Sequence, residues 1–184
     1  MYKNHDMLFD QNFLSIEKKK LIQLVHSNRF QEALSIAEKI LSVYPSDIPV
    51  LEIKGKIHLS LGDVNSTINC YLKAIQLNPN CEKNYNAIAL LLGKIGQNEK
   101  AIQYLYKSYG INKKNPTTHF NLGVIFFNKK NWHKSAEYFN NAIKIKPYYP
   151  DAYYHLGRIF YNNSEFEKAL FFFERCIQQK KNHD

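Results

Sequence analysis

One length recurs through this chain, and it is 34 residues. The segments "ILSVYPSD", "AIQLNPN" and "AIKIKPYYP" resemble one another, and their prolines are Pro45, Pro79 and Pro147. The first two lie one such step apart, and the third lies two steps further on. Cutting at that length gives five units without insertion or deletion: 14–47, 48–81, 82–115, 116–149 and 150–183. Only a leader, 1–13, and Asp184 fall outside them. Self-similarity at a fixed step of this size is the mark of a repeat architecture, in which each unit buries its apolar face against the next.

Stacking the units shows what the step carries. One column reads Ala33, Thr67, Ala101, Ser135 and Ala169. A second reads Ile40, Ala74, Ser108, Ala142 and Cys176, and a third Leu21, Gly55, Ala89, Gly123 and Gly157. Small side chains at fixed places let two helices approach closely. Large apolar columns run between them: Leu24, Leu92, Phe126 and Phe160 in the first half of a unit, Tyr71, Leu105, Phe139 and Phe173 in the second. Each unit therefore predicts two helices of about thirteen residues joined by a short turn. Pro49, Pro116 and Pro150 mark first-helix starts, where a missing N–H is harmless. Asn28, Gly62 and Gly96 mark the turn between helices, where a left-handed residue is wanted. No strand-like alternation persists, so the expected fold is an all-α solenoid.

The 34-residue step, the Tyr154-His155-Leu156-Gly157 and Asn121-Leu122-Gly123 runs and the Ala…Phe…Ala…Pro series resemble the tetratricopeptide repeat (TPR) family. The resemblance covers essentially the whole chain. It is weakest in the first helix of unit one, where Glu17 and Lys20 stand in the columns of Tyr153 and Leu156. It implies a single domain, 14–183, coiled as a right-handed superhelix of helix-turn-helix hairpins. It also implies that first helices line a concave groove for a peptide or a partner's helix. On that mapping the groove presents Lys56 in unit two and Lys83, Asn86 and Lys94 in unit three. Phe120, Asn121, Val124, Phe127 and Asn128 follow in unit four, then Tyr154, His155, Arg158, Tyr161 and Asn162 in unit five. Rings supply contact area with few rotors, and amides hold a peptide backbone. The C-terminal half is thus the expected centre of binding, with Arg158 foremost. The competing reading of Phe120, Phe127 and Tyr161 is packing between helices. Two sites of the family fit poorly. The columns of a chaperone-tail carboxylate clamp read Lys18, Ile22, Ile53, Lys83 and Ala87. An asparagine ladder would need Asn in a column that reads Lys19, Ile53, Ala87, Asn121 and His155.

Composition bears on the alternatives. The net charge of +9 invites nucleic acid, yet the chain holds 22 Lys and only 3 Arg, the residue that reads phosphate and base edges best. Much of the excess sits in units three and four, on second helices and turns. The expected groove is only mildly basic and suits a neutral or acidic peptide. RNA binding through the basic surface stays as the alternative, as does service as the regulatory module of a separate enzyme. Seven histidines fall in no zinc spacing, and there is no GxGxxG, P-loop or GxSxG. The expectation is a non-catalytic protein with no cofactor and no metal. No run of residues approaches a bilayer span, and Cys70, Cys81 and Cys176 make no CxxC, so a reduced, cytoplasmic protein is expected. Leu170, Phe171, Phe172, Phe173 and Ile177 crowd the last helix, which marks a face for self-association or for a longer array.

Overall fold

The computed structural model describes residues 3–181, with side chains from Asn12 to Lys181. The described residues form ten α-helices and no strand. They are α1 (Lys3–His26), α2 (Phe30–Val43), α3 (Ile48–Ser60), α4 (Val64–Leu77), α5 (Glu82–Lys94), α6 (Asn98–Ile111), α7 (Pro116–Asn128), α8 (Trp132–Ile145), α9 (Pro150–Asn162) and α10 (Phe166–Lys181). α1 begins inside the stretch set apart as a leader. From α2 to α9 the helices have 13 or 14 residues, the length the step predicts.

Every turn within a unit is built alike, and the device itself repeats. Asn28, Gly62, Gly96, Lys130 and Ser164, one step apart, all hold positive φ, between 56° and 80°. The next residue's N–H reaches back to a first-helix carbonyl five positions earlier: Arg29 to Leu24, Asp63 to His58, Gln97 to Leu92, Asn131 to Phe126 and Glu165 to Phe160, at 2.8–2.9 Å. This is the Schellman closure of a helix. It explains why two glycines and an asparagine were legible there, and why Lys130 and Ser164 were not. The tertiary hairpin imposes the conformation even where the side chain disfavours it. Side-chain caps then start several helices. Asp47 accepts from the Val50 N–H, Asp63 from Ser66, Asn115 from Thr117 and Thr118, and Asn131 from Lys134. Each such cap is worth about 1 kcal/mol.

The helices gather into two compact units, Met1–Asn80 and Cys81–Asp184. In the first, Leu21, Leu24, Ala33, Ala37, Ile40, Val50 and Ile57 form the core. In the second, Phe127, Phe139, Ala152, Leu156 and Ile159 form a core cluster. The small columns do the expected work. A Cβ on Gly123 would stand 2.7 Å from the Phe139 ring, and one on Gly157 would stand 2.6 Å from the Phe173 ring. Glycine thus lets α7 and α9 lie directly on the aromatic rings of their hairpin partners, Phe139 of α8 and Phe173 of α10.

Candidate functional site

Within the C-terminal unit, the first helices α5, α7 and α9 are neighbours in that order. On these helices stand the residues that column mapping assigned to the groove in units three to five, and they divide into a polar and an aromatic group.

The polar part lies between α5 and α7. An open cleft of about 560 Å³ is lined by Lys83, Asn86, Leu90, Lys114, Thr117 and Asn121, among others. A smaller hollow of about 90 Å³ is lined by Leu90, Lys94, Val124 and Asn128 among its neighbours. Lys83, Lys94 and Asn128 are exposed, and Val124 is half-buried. Asn86 and Asn121 depart from expectation, because both are buried. The Asn86 amide donates towards Ser108 Oγ (2.7 Å), Thr118 Oγ1 (2.9 Å) and the Glu82 carbonyl (3.1 Å), while its Oδ1 accepts from Asn121 Nδ2 (3.2 Å). Ser108 and Thr118 are themselves 2.8 Å apart. Each member satisfies another, so the network fixes α5, α6 and α7 against one another. Asn86 is therefore corrected from a peptide-holding amide to a structural one, and Asn121 spends its amide nitrogen on Asn86. A signal existed in the sequence. Ser108 and Thr118 bring hydroxyls into units three and four where other units have mostly apolar residues.

The aromatic part lies on α7 and α9. His155 is enclosed by rings. It stacks on Phe139 (5.0 Å between centroids, 13° between planes) and meets Phe120, Phe127 and Tyr154 edge-on at 5.3–5.7 Å. Phe120 is half-buried and stacks on Tyr149 at 4.9 Å. Phe127 is only 8% exposed, against the Trp132 edge at 5.1 Å. These two rings pack between helices, the competing reading given above, and do not form an open floor. What remains open is on α9. Tyr154 is 46% exposed, Tyr161 is 59% exposed, and Arg158 and Asn162 are exposed beside them. The Arg158 guanidinium lies 4.6 Å from the Phe127 ring centre and 5.7 Å from that of Tyr154. It has no carboxylate partner among the described residues. Stacking on two rings holds the fork rigid while its donors stay available. In the N-terminal unit, α3 carries exposed Lys56 on its own first-helix face.

Burial, reinforced by the Arg158 charge, holds His155 below the usual histidine value of 6.5, against a smaller opposing pull from Asp151. Its Nδ1 is buried with no hydrogen-bond partner. The folded state therefore binds this proton less readily than the unfolded chain. His155 contributes nothing to pH dependence well above 6.5. As the pH falls below 6.5 the unfolded state takes the proton first, so stability declines until the folded-state value is passed, and then levels off. Urea unfolding at pH 7.5 and pH 5 should show a larger loss for wild type than for His155→Phe, which keeps a ring in the cluster. His119 likewise leaves its Nδ1 buried without a hydrogen-bond partner, but its other nitrogen is used. Its Nε2 donates to the Lys113 carbonyl at 2.9 Å, and its ring meets Tyr109 edge-on. No group of three or more metal-ligating side chains occurs among the described residues. Cys70 is buried, and that burial raises its thiol above the usual range.

Profiles of the tetratricopeptide repeat match residues 48–81, 82–115, 116–149 and 150–183. The chain belongs to the tetratricopeptide repeat family. Unit one, the least regular, lies outside those matches. Among curated TPR relatives, the TPR repeat-containing protein MJ1428 of Methanocaldococcus jannaschii is 29% identical over 118 residues. That is 64% of this chain and 21% of that protein. A peroxisomal targeting signal receptor of Candida glabrata is 27% identical over 114 residues, 62% of this chain and 19% of that protein. The chain thus spans about a fifth of the length of these curated relatives. Among solved TPR structures, MamA of Desulfovibrio magneticus RS-1 superposes with a TM-score of 0.79 at 18% identity. The match covers 93% of this chain and 97% of that one. At that identity the likeness shows the fold alone. No helix among the described residues is long and apolar enough to cross a membrane.

Proposed function

We propose that this chain is a non-catalytic scaffold that holds a neutral or acidic peptide segment of a partner protein on the first-helix face of α5, α7 and α9. The observation that carries the reading is Arg158, a cation held over Phe127 and Tyr154 with no carboxylate of its own. Exposed Tyr154 and Tyr161 flank it with apolar area, and Lys83 and Lys94 extend the positive edge along α5. The receptor among the relatives is named for recognising a targeting signal, which supports peptide capture as the use of such a face. The three cysteines are unpaired, as suits a reducing cytoplasm. The test is a display of peptides from the source proteome's disordered segments, followed by titration of the enriched sequences. Acidic peptides should be enriched, and Arg158→Ala should weaken them by about 10-fold. Enrichment of RNA in place of peptide, with steep loss on raising salt, would favour the nucleic-acid alternative.

A second surface serves self-association on this reading. Phe166, Leu170, Phe173 and Ile177 stand one step after Trp132, Ala136, Phe139 and Ile143. In α8 those columns pack against Ala152, Leu156 and Ile159 of α9. In α10, Phe166, Leu170 and Ile177 are instead 54–60% exposed. The occupant we assign is α10 of a second copy, lying antiparallel. The α1 columns that correspond to Ala152, Leu156 and Ile159 hold Ile16, Lys20 and Gln23, a poor apolar match. Antiparallel α10 helices instead bring Glu167 at one end towards Lys180 and Lys181 at the other.

A further inference from the structure

A repeat protein contains its own controls, because side chains that the fold requires recur in their column. Departures that converge in space need another cause. Three converge around the turn between α8 and α9. Tyr148 stands where earlier units have Ser46, Asn80 and Lys114. Phe171 stands where they have Ser35, Asn69, Gln103 and Glu137. Gln179 stands where they have Val43, Leu77, Ile111 and Ile145. All three line one cleft of about 690 Å³, together with Tyr153, Phe172 and Arg175. None of its lining residues belongs to the first-helix face around Arg158.

The same place three steps earlier, within the N-terminal unit, is also a cleft, of about 420 Å³. There Leu51 answers to Tyr153, Asn69 to Phe171, Cys70 to Phe172 and Lys73 to Arg175. The repeat thus supplies a hollow at this position, and the last two units line theirs with rings. They also brace it. Gln179 Nε2 donates to the Pro147 carbonyl at 2.8 Å, and its Oε1 accepts from the Tyr149 N–H at 2.9 Å, which ties the α8–α9 turn to α10. Phe172 stacks on Phe160 at 5.2 Å, with the ring planes nearly parallel. Phe171 meets Phe172 edge-on and stays 49% exposed. The Arg175 guanidinium lies 5.3 Å from the Phe171 ring centre and donates to Gln178 at 3.3 Å, with no carboxylate partner among the described residues.

We infer that this cleft is a second binding site. It takes an extended peptide with one aromatic or large aliphatic side chain beside an acidic residue. The bulky side chain fills the space between Tyr153 and Phe171, where rings give area at little entropic cost. The neighbouring carboxylate meets Arg175, whose planar fork suits it and whose charge is otherwise unanswered. A braced, preformed pocket binds without the cost of ordering its own walls.

The test exploits the internal controls. Tyr148→Ser with Phe171→Asn restores the side chains of Ser46 and Asn69, which the chain already carries in these columns, so the variant keeps the fold. A random peptide library on phage is selected against wild type, against this restored variant and against Arg158→Ala. Wild type and Arg158→Ala should both enrich peptides with a bulky apolar residue next to Asp or Glu. The enriched peptide, labelled and titrated, should bind those two alike and the restored variant at least about 10-fold more weakly. Arg175→Gln should weaken it by about 5-fold and flatten its salt dependence. The inference is overturned if no such peptide is enriched, or if the restored variant binds it equally well. It is also overturned if loss follows Arg158→Ala instead, which would assign the peptide to the first-helix face. A wild-type dimer that the restored variant dissociates would overturn it too, because a second copy would then fill the cleft.

Discussion

Phe139→Ala should destabilise the C-terminal unit by about 3–5 kcal/mol, the largest stability effect expected of a single truncation in this chain. Phe139 is fully buried. It lies on Gly123, whose missing Cβ leaves room for the ring, and under the stacked His155. Removing it opens a cavity between α7, α8 and α9 that none of these helices can close without losing another contact. Native domains are stable by only about 5–15 kcal/mol, so the unit would be left marginal. Phe173→Ala is the matched control, one step on. That ring lies on Gly157 in the same way but is half-buried, so about 1–2 kcal/mol is expected. Trp132 is the single tryptophan and packs on Phe127 in the affected cluster. Its fluorescence therefore reports the C-terminal unit, while circular dichroism reports all helices. In Phe139→Ala the fluorescence transition in urea should precede the dichroism transition. Coincident transitions, or a loss below about 1 kcal/mol, would show that the ring is not central.

If α10 pairs with α10 of a second copy, as proposed, Leu170→Glu with Ile177→Glu should leave the protein a monomer. In wild type these side chains continue a stripe that α8 packs, partly buried, against α9 and that α10 leaves open. Placing four carboxylates in a two-fold α10 interface removes apolar contact and adds like-charge repulsion, and both act in one direction. Neither residue belongs to the buried core of the chain, so its own fold should be kept. Light scattering across a concentration series checks this. A mass that rises to twice the chain mass for wild type only is the expected outcome. A wild type that stays monomeric throughout would remove the self-association reading.

How much of this was legible follows from what a column encodes. The step, the hairpin and the small residues at helix contacts are properties of each unit, and five copies make them visible. Gly123 and Gly157 lie against Phe139 and Phe173 where the columns place them. Exposure is different, because it depends on what a neighbouring unit happens to carry. Asn86 and Asn121 stand on the face that the groove mapping selects, yet Ser108 and Thr118 fill the space around them. Phe127 also faces that way and is covered by Trp132, His155 and Arg158. Arg158 itself was legible as a cation among rings, but not its stacked posture. Phe171 was read as part of a single apolar patch with its neighbours. The structure divides that patch. Phe172 packs on Tyr153 and Phe160, Phe173 lies on Gly157, Phe171 opens to the cleft, and Leu170 and Ile177 face outward.

On the proposed function, α9 and its neighbours present the face that holds a partner's peptide. The most direct measurement is a calorimetric titration of one proteome-derived acidic peptide into three proteins: wild type, Arg158→Ala with Tyr154→Ala, and Lys134→Ala with Lys144→Ala on α8. The α9 pair should weaken binding by roughly 10- to 100-fold, while the α8 pair should change it by less than about 2-fold because exposed lysines contribute little. Undiminished binding to the α9 variant, with loss in the α8 variant, would contradict that reading and assign recognition to the basic second-helix surface.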